Sequence, residues 1–296
     1  MTRYALLAFA AVSVSASADE IWVGRYFEDT VSRLDLSGAT LGSMTVAKPL
    51  GMTMGPDGKV YVCSETGNSV LKFDQTGTAL GTFANTHMNN PTGILFTPDG
   101  KALVDNFTTN NVVRFSSAGT YETDFVPAGS GGLNGPDIGM VYGPDHNLYV
   151  ASWGSNKVLK FDAATGAYLG DFVTGIGHPR GLTFWNSHLL VSSENGNLVN
   201  EYNAATGAFE SILVSAGSGG LNGAAGMAVV GNDLYVASWR NGSVLKYAAS
   251  NGAFEGVFAG GLGSPVTLQV VPEPAGLVPI LAGAAFLLRR RRRASR

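Results

Sequence analysis

The chain has 296 residues, 45% hydrophobic and only 14% charged, with 40 glycines, one cysteine and a formal net charge of −3. That length holds one large domain or two ordinary ones, and abundant glycine with few charges argues against a helical protein and for an all-β chain with many turns. The single cysteine, Cys63, excludes an intramolecular disulfide and reads as a small buried hydrophobe.

The chain opens with Arg3, an apolar run over Tyr4–Val14 and the small residues Ala16-Ser17-Ala18. This is the order of a secretory signal, so residues 1–18 read as a signal peptide cut by signal peptidase between Ala18 and Asp19. The exported body runs over residues 19–271. Arg3, Arg289–Arg293, Arg296 and Glu273 leave with the two ends, so the body carries 12 basic and 21 acidic residues, a net charge of −9. Such a body excludes nucleic acid as a partner, because phosphate neutralisation needs lysine and arginine.

Within the body one unit recurs. PLGMTMGPDGKVYVCSETGNSVLKFDQTGTALGTF starts at Pro49, PTGILFTPDGKALVDNFTTNNVVRFSSAGTYETDF at Pro91, and PDIGMVYGPDHNLYVASWGSNKVLKFDAATGAYLGDF at Pro136. Further copies start at Pro179 and Ala224. Each holds four short apolar runs of strand character. A tight turn such as Pro56-Asp57-Gly58 joins the first two, an Asn/Gly-rich loop the middle two, and a turn such as Thr165-Gly166 the last two. The pairs Trp22-Val23, Tyr61-Val62, Leu103-Val104, Tyr149-Val150, Leu190-Val191 and Tyr235-Val236 mark the register, at spacings of 39, 42, 46, 41 and 45 residues. A four-stranded unit with that period predicts the blades of a β-propeller. The first unit lacks its opening strand, and residues 264–270 supply one at the other end. The expectation is an all-β, six-bladed β-propeller of four-stranded blades, its ring closed by strand 264–270 joining the N-terminal blade.

The octapeptide AGSGGLNG occurs twice, at Ala128–Gly135 and Ala216–Gly223, each time between the outer strand of one blade and the inner strand of the next. A phosphate-binding loop needs a strand–loop–helix setting that is missing here. Both copies therefore read as connectors whose glycines supply irregular φ/ψ.

After the body come Pro272-Glu273-Pro274, an apolar run over residues 275–288, and Arg289, Arg290, Arg291, Arg292 and Arg293. Fourteen apolar residues fall short of the roughly 20 of a full membrane span, and the arginine block belongs in solvent or at anionic headgroups. This three-part tail resembles the PEP-CTERM sorting signal of Gram-negative bacteria. The resemblance implies a short apolar helix outside the propeller and export through the inner membrane with transient anchoring there. It also implies cutting near Pro272–Pro274 by an exosortase, and delivery to the cell surface or matrix, often beside exopolysaccharide.

The pattern PxG(I/M/L)…PDGxxYV…NxVLKFD…TGxxLGxF resembles the NHL-repeat and gluconolactonase/regucalcin-like propellers and the streptogramin lyase group. It covers nearly all of the body. Where NHL units often carry YVAD, this chain has Ser64, Ser152 and Ser238 in the Asp position.

The loops that end each second strand share a face with the connectors, and propeller ligands sit where loops converge on the central channel. Aligned by repeat, that face carries Tyr26, Glu65, Phe107, Trp153, Glu194 and Trp239, with Arg25, Asn106, Asn156, Asn195, Arg240 and Asn241 beside them. Asp137 and Arg180 open inner strands, and His87 and His178 precede them. The four aromatics either stack on a sugar or peptide side chain or pack between blades. Glu65, Asn106, Glu194 and Asn195 form an oxygen set for Ca²⁺ or another divalent cation, or are solvated loop residues. Asp137 and Arg180 read as an ion pair between blades ahead of a catalytic pair. The four histidines lack metal-ligand spacing, and there is no G-x-S-x-G setting for a serine hydrolase. The reading is a non-enzymatic module that binds glycan or protein through Tyr26, Phe107, Trp153, His178, Arg180, Trp239 and Arg240. The fold resemblance carries two enzymatic alternatives, a metal-dependent lactonase-like hydrolase and a streptogramin-lyase-like enzyme centred on His178.

Overall fold

The computed structural model describes residues 19–272. Residues 1–18, the expected signal sequence, and Glu273, Pro274, the apolar run of 275–288 and the arginine block lie outside the described residues. Among the described residues no helix is long and apolar enough to cross a membrane.

The repeat unit folds as expected, each copy giving one antiparallel four-stranded blade. Blade 1 holds β1 (Glu20–Arg25), β2 (Thr30–Asp35) and β3 (Thr40–Thr45), and blade 2 holds β4 (Pro49–Met54), β5 (Val60–Ser64), β6 (Ser69–Phe73) and β7 (Ala79–Ala84). Blade 3 is β8 (Pro91–Phe96), β9 (Ala102–Asn106), β10 (Asn111–Phe115) and β11 (Tyr121–Val126). Blade 4 is β12 (Pro136–Tyr142), β13 (Leu148–Ser152), β14 (Lys157–Phe161) and β15 (Tyr168–Thr174). Blade 5 is β16 (Pro179–Trp185), β17 (His188–Ser193), β18 (Leu198–Asn203) and β19 (Phe209–Val214), and blade 6 is β20 (Ala224–Val230), β21 (Asp233–Ser238), β22 (Ser243–Ala248) and β23 (Phe254–Ala259). The last strand, β24 (Pro265–Val271), lies antiparallel to β1 with Val271 opposite Glu20 and becomes the inner strand of blade 1. It begins one residue later than the sequence suggested, because Ser264 turns its backbone carbonyl to the Tyr26 amide and its hydroxyl to Glu28.

The core is divided among the six junctions between blades. Trp22, Val31 and Val271 meet Met52, Val60, Val62 and Phe73 between blades 1 and 2, and equivalent clusters fill the other junctions. The middle strands β5, β9 and β13 are buried at every residue, since a neighbouring blade covers each face and the usual in/out alternation disappears. The outer strands carry the solvent edge and leave Leu80, Phe209 and Val257 exposed.

Two glycines of the repeat follow from close approach. A side chain on Gly51 would meet the Thr92 carbonyl of the next inner strand at 2.6 Å, which accounts for the Pro-x-Gly opening where six strands crowd the axis. Gly166, at φ 74°, has its Cα against the Phe125 carbonyl of the preceding blade, so the Thr-Gly turn docks one blade on another. The motif's other polar residues form a repeated clamp. Tyr149 donates to Asp145 at 3.0 Å while Lys160 pairs with Asp145 at 2.6 Å, and Tyr61, Asp57 and Lys72 repeat the arrangement.

Candidate functional site: the cup at the loop face

Six side chains stand at one height because the same backbone device holds each of them. Tyr26, Glu65, Phe107, Trp153, Glu194 and Trp239 are each the first residue past the second strand of their blade. Their amides donate to the carbonyls of Ser264, Lys48, Asn90, Gly135, His178 and Gly223, each the residue just before an inner strand. Five of those carbonyl residues are left-handed, with φ between 46° and 70°. Their amides are held in turn by a side chain of the preceding blade: Asp29 for Lys48, Asn68 for Asn90, Asn110 for Gly135, Asn156 for His178 and Asn197 for Gly223. The ring is therefore tied blade to blade before any ligand arrives.

This clamp settles the role of the repeated octapeptide. Both copies fold alike, with a 3-10 turn at Ser130–Gly132 and Ser218–Gly220 and with Leu133 and Leu221 buried as anchors. They are connectors. Their last residues, Gly135 and Gly223, also bed the Phe107 and Trp239 rings, which would strike any added side chain.

The six residues surround a cavity of about 210 Å³, whose lower wall is Leu50, Thr92, Asp137, Arg180 and Val266 and whose rim includes Phe27. Arg180, 9% exposed, forks onto Asp137 at 2.9 and 3.3 Å and reaches Glu194 at 3.8 Å. Burial opposes its charge, but Asp137 and then Glu194 outweigh that effect and raise the guanidinium's pKa. Glu194 also accepts from Arg240 at 2.7 Å and from the Trp153 indole at 2.9 Å. Across the cup, the Tyr26 hydroxyl donates to Glu65, and burial together with that carboxylate pushes the tyrosine pKa up.

Of the expected aromatic and basic residues, Tyr26, Phe107, Trp153, Trp239 and Arg180 line the cup, and Arg240 braces it through Glu194. The proposed metal set is not brought together. Glu65 and Glu194 line the cup, but Asn106 and Asn195 do not. Successive residues of an extended strand point to opposite sides, so Asn106, beside Phe107, faces the connector and binds the His87 carbonyl and the Asn89 amide. Asn195 is exposed. Glu194 is not a solvated loop acid, being 6% exposed and occupied by two arginines. Among the described residues no group of three or more His, Cys, Asp or Glu side chains is placed to hold a metal ion. His178 stays outside the cup: its backbone fixes Glu194 and its ring stacks on Trp153 at 3.7 Å. His87 likewise stacks on Tyr121.

Leu50, Thr92 and Val266 occupy the repeat position of Asp137 and Arg180, directly after the residue that opens the inner strand, so the same alignment that found the charged pair also locates them. Asp105 had no such signal. It takes a position held by Cys63, Ala151, Ser192 and Ala237 in other blades and lies fully buried behind Thr92. One carboxylate oxygen accepts from Thr92 at 2.6 Å and from the Gly93 amide, while the other has no partner. Burial pushes its pKa up to about 7, against those two bonds and with a contribution from Asp137. The folded protein therefore keeps a proton that the unfolded chain releases near pH 4, and stability falls as pH rises from about 4 to about 7, by at most about 1.4 kcal/mol per pH unit. Turn carboxyls such as Asp35 and Asp162, held low by Ser37 and Thr165, act in the opposite sense and only below that window. Asp105→Asn should flatten the pH 4–7 slope in urea titrations; an unchanged slope would assign it to other groups.

Comparison with known proteins places the fold. No protein-family model matches the chain, and no curated protein does. A protein of unknown function from Bacteroides caccae shares the fold at TM-score 0.70 and 14% identity, covering 87% of this chain and 100% of its own. A chain of a nidogen/laminin complex superposes at TM-score 0.69 and 18% identity over 86% of this chain and 98% of its own. Catalytically inactive virginiamycin B lyase from Staphylococcus aureus, with quinupristin, superposes at TM-score 0.56 and 15% identity over 88% of this chain and 86% of its own. These likenesses establish a six-bladed propeller shared with proteins of differing activity.

Proposed function

We propose that this protein is an exported binding propeller that engages a surface or matrix component, glycan or protein, through the loop-face cup. The carrying observation is the cup itself: four aromatics and two acids, set at one height by the interblade clamp, of which Trp239 also packs against the core between blades 6 and 1. A preformed concave site with few placed polar groups is the form of a binding pocket, and its rigidity limits the entropy lost on binding. The lyase reading needs a histidine in the cup, and the two on this side are stacked outside it. The lactonase reading needs a metal centre, and the acids it would use are engaged by Tyr26, Arg180 and Arg240. The nidogen/laminin neighbour lends the binding reading an analogy of fold alone.

Delivery is part of the same proposal: signal peptidase releases residues 1–18, and the tail from Pro272 holds the body at the inner membrane until an exosortase acts. A chain lacking residues 272–296 should leave the envelope for the medium. The released body should rebind the surface of cells deleted for this protein, and Trp153→Ala should abolish that rebinding. Full retention of the truncated chain refutes the sorting role. Rebinding that survives Trp153→Ala refutes the cup as the binding site.

A further inference from the structure

The cup has two unlike halves. Blades 3, 4 and 5 contribute Thr92, Asp137 and Arg180 to its lower wall, whereas blades 1 and 2 contribute Val266 and Leu50. Glu194 sits among the charged residues and has three donors, Arg180, Arg240 and Trp153. Glu65, from the same blade as Leu50, accepts from the Tyr26 hydroxyl only. Among the described residues no lysine, arginine or histidine nitrogen pairs with Glu65. Lys48 gives its carbonyl to the Glu65 amide, while its ammonium pairs with Asp29 at 3.3 Å and lies over the Tyr26 and Phe27 rings, 5.4 and 5.5 Å from their centroids. Three cup carboxylates, Glu65, Asp137 and Glu194, thus face two guanidiniums, Arg180 and Arg240. One negative charge is left over, on Glu65, which shares the cup with Leu50 and Val266.

A carboxylate beside apolar surface gains from a counter-charge, and an apolar wall suits the stem that carries one. We propose that the cup binds a protonated amine on an apolar stem, with the ammonium on Glu65 and the stem against Leu50 and Val266. This rests on the binding reading above and names its ligand class. An anion meets the surplus charge, and a neutral sugar leaves Glu65 uncompensated. At about 210 Å³ the cavity is smaller than the roughly 300–1,000 Å³ of pockets for drug-sized ligands, which suits one side-chain-sized group. The chemistry has two sources, a free small amine or a lysine of a partner protein.

The test titrates residues 19–271 with n-pentylamine, its neutral counterpart 1-pentanol, and the peptides acetyl-Gly-Lys-Gly-amide and acetyl-Gly-Nle-Gly-amide. Binding is read by calorimetry and by the fluorescence of Trp153 and Trp239. Both cations should bind at least about tenfold tighter than their neutral partners, and Glu65→Gln should weaken them by about ten- to a hundredfold, far more than it weakens pentanol. A lysine peptide tighter than pentylamine assigns a protein partner, and the reverse order assigns a free amine. Equal affinity for charged and neutral probes, absence of a saturable cation signal, or indifference to Glu65→Gln overturns the inference. If it falls while Trp153→Ala still abolishes rebinding to cells, the binding role survives and only the ligand class is wrong.

Discussion

Removing residues 261–271 should leave a chain without a cooperative melt, while the same strand moved to the N-terminus should restore one. The segment contributes β24, whose Val266, Leu268 and Val271 are 2%, 7% and 1% exposed. Burying three such side chains contributes about 5–9 kcal/mol, comparable with the whole stability of an ordinary domain, about 5–15 kcal/mol. Its loss also strips β1 of one of its two hydrogen-bonded partners and leaves β4 and β20 without the inner strand that lies against both. The permutant begins at Gly261 and ends at Gly260, both exposed, and joins Val271 to Glu20 by a short turn. Those two residues already face each other across the β1–β24 ladder, so the join demands no new geometry. Circular dichroism melts decide the matter. A deletion variant that melts like the parent would mean that β24 merely decorates the ring. A permutant that fails to melt cooperatively would mean that connectivity, and not the strand, holds blade 1.

The same ring shows how much of the protein was readable before the fold was seen. Period, turn residues and the displaced last strand gave six blades and their closure, because each blade buries its faces only against its neighbours and so must repeat. All six rim positions were found by aligning the repeat, since the first residue past each second strand is fixed by a backbone bond common to the six blades. What individual side chains do was harder to read. Glu65 and Glu194 occupy equivalent positions, yet only Glu194 has arginines, one from its own blade and one from the next. Asn106 looked like a ligand through its neighbours in sequence but faces the connector. Ser64, Ser152 and Ser238, the serines that close the Tyr-Val strands of their blades, proved to bond connector carbonyls at 2.8, 3.2 and 3.2 Å. His178 reads as a catalytic candidate only while its left-handed backbone, which holds Glu194, is unknown.

Arg180 is the residue whose loss should cost the cup most. Arg180→Met keeps much of the apolar stem and deletes a buried guanidinium shared by Asp137 and Glu194. Breaking such an interaction from one side leaves an uncompensated buried charge and costs about 3–5 kcal/mol, a fall in melting temperature of about 6–20 °C for a chain of this size. Glu194 keeps Arg240 and the Trp153 indole, so the penalty falls chiefly on Asp137, which is 4% exposed and has no other cationic partner among the described residues. Asp137→Asn in the Arg180→Met background removes the stranded buried charge and should recover part of the deficit in urea titrations. A deficit below about 1 kcal/mol, with no recovery in the double variant, would show that water reaches the pair and that Asp137–Arg180 behaves as a surface ion pair. The cup would then be held by its backbone clamp alone.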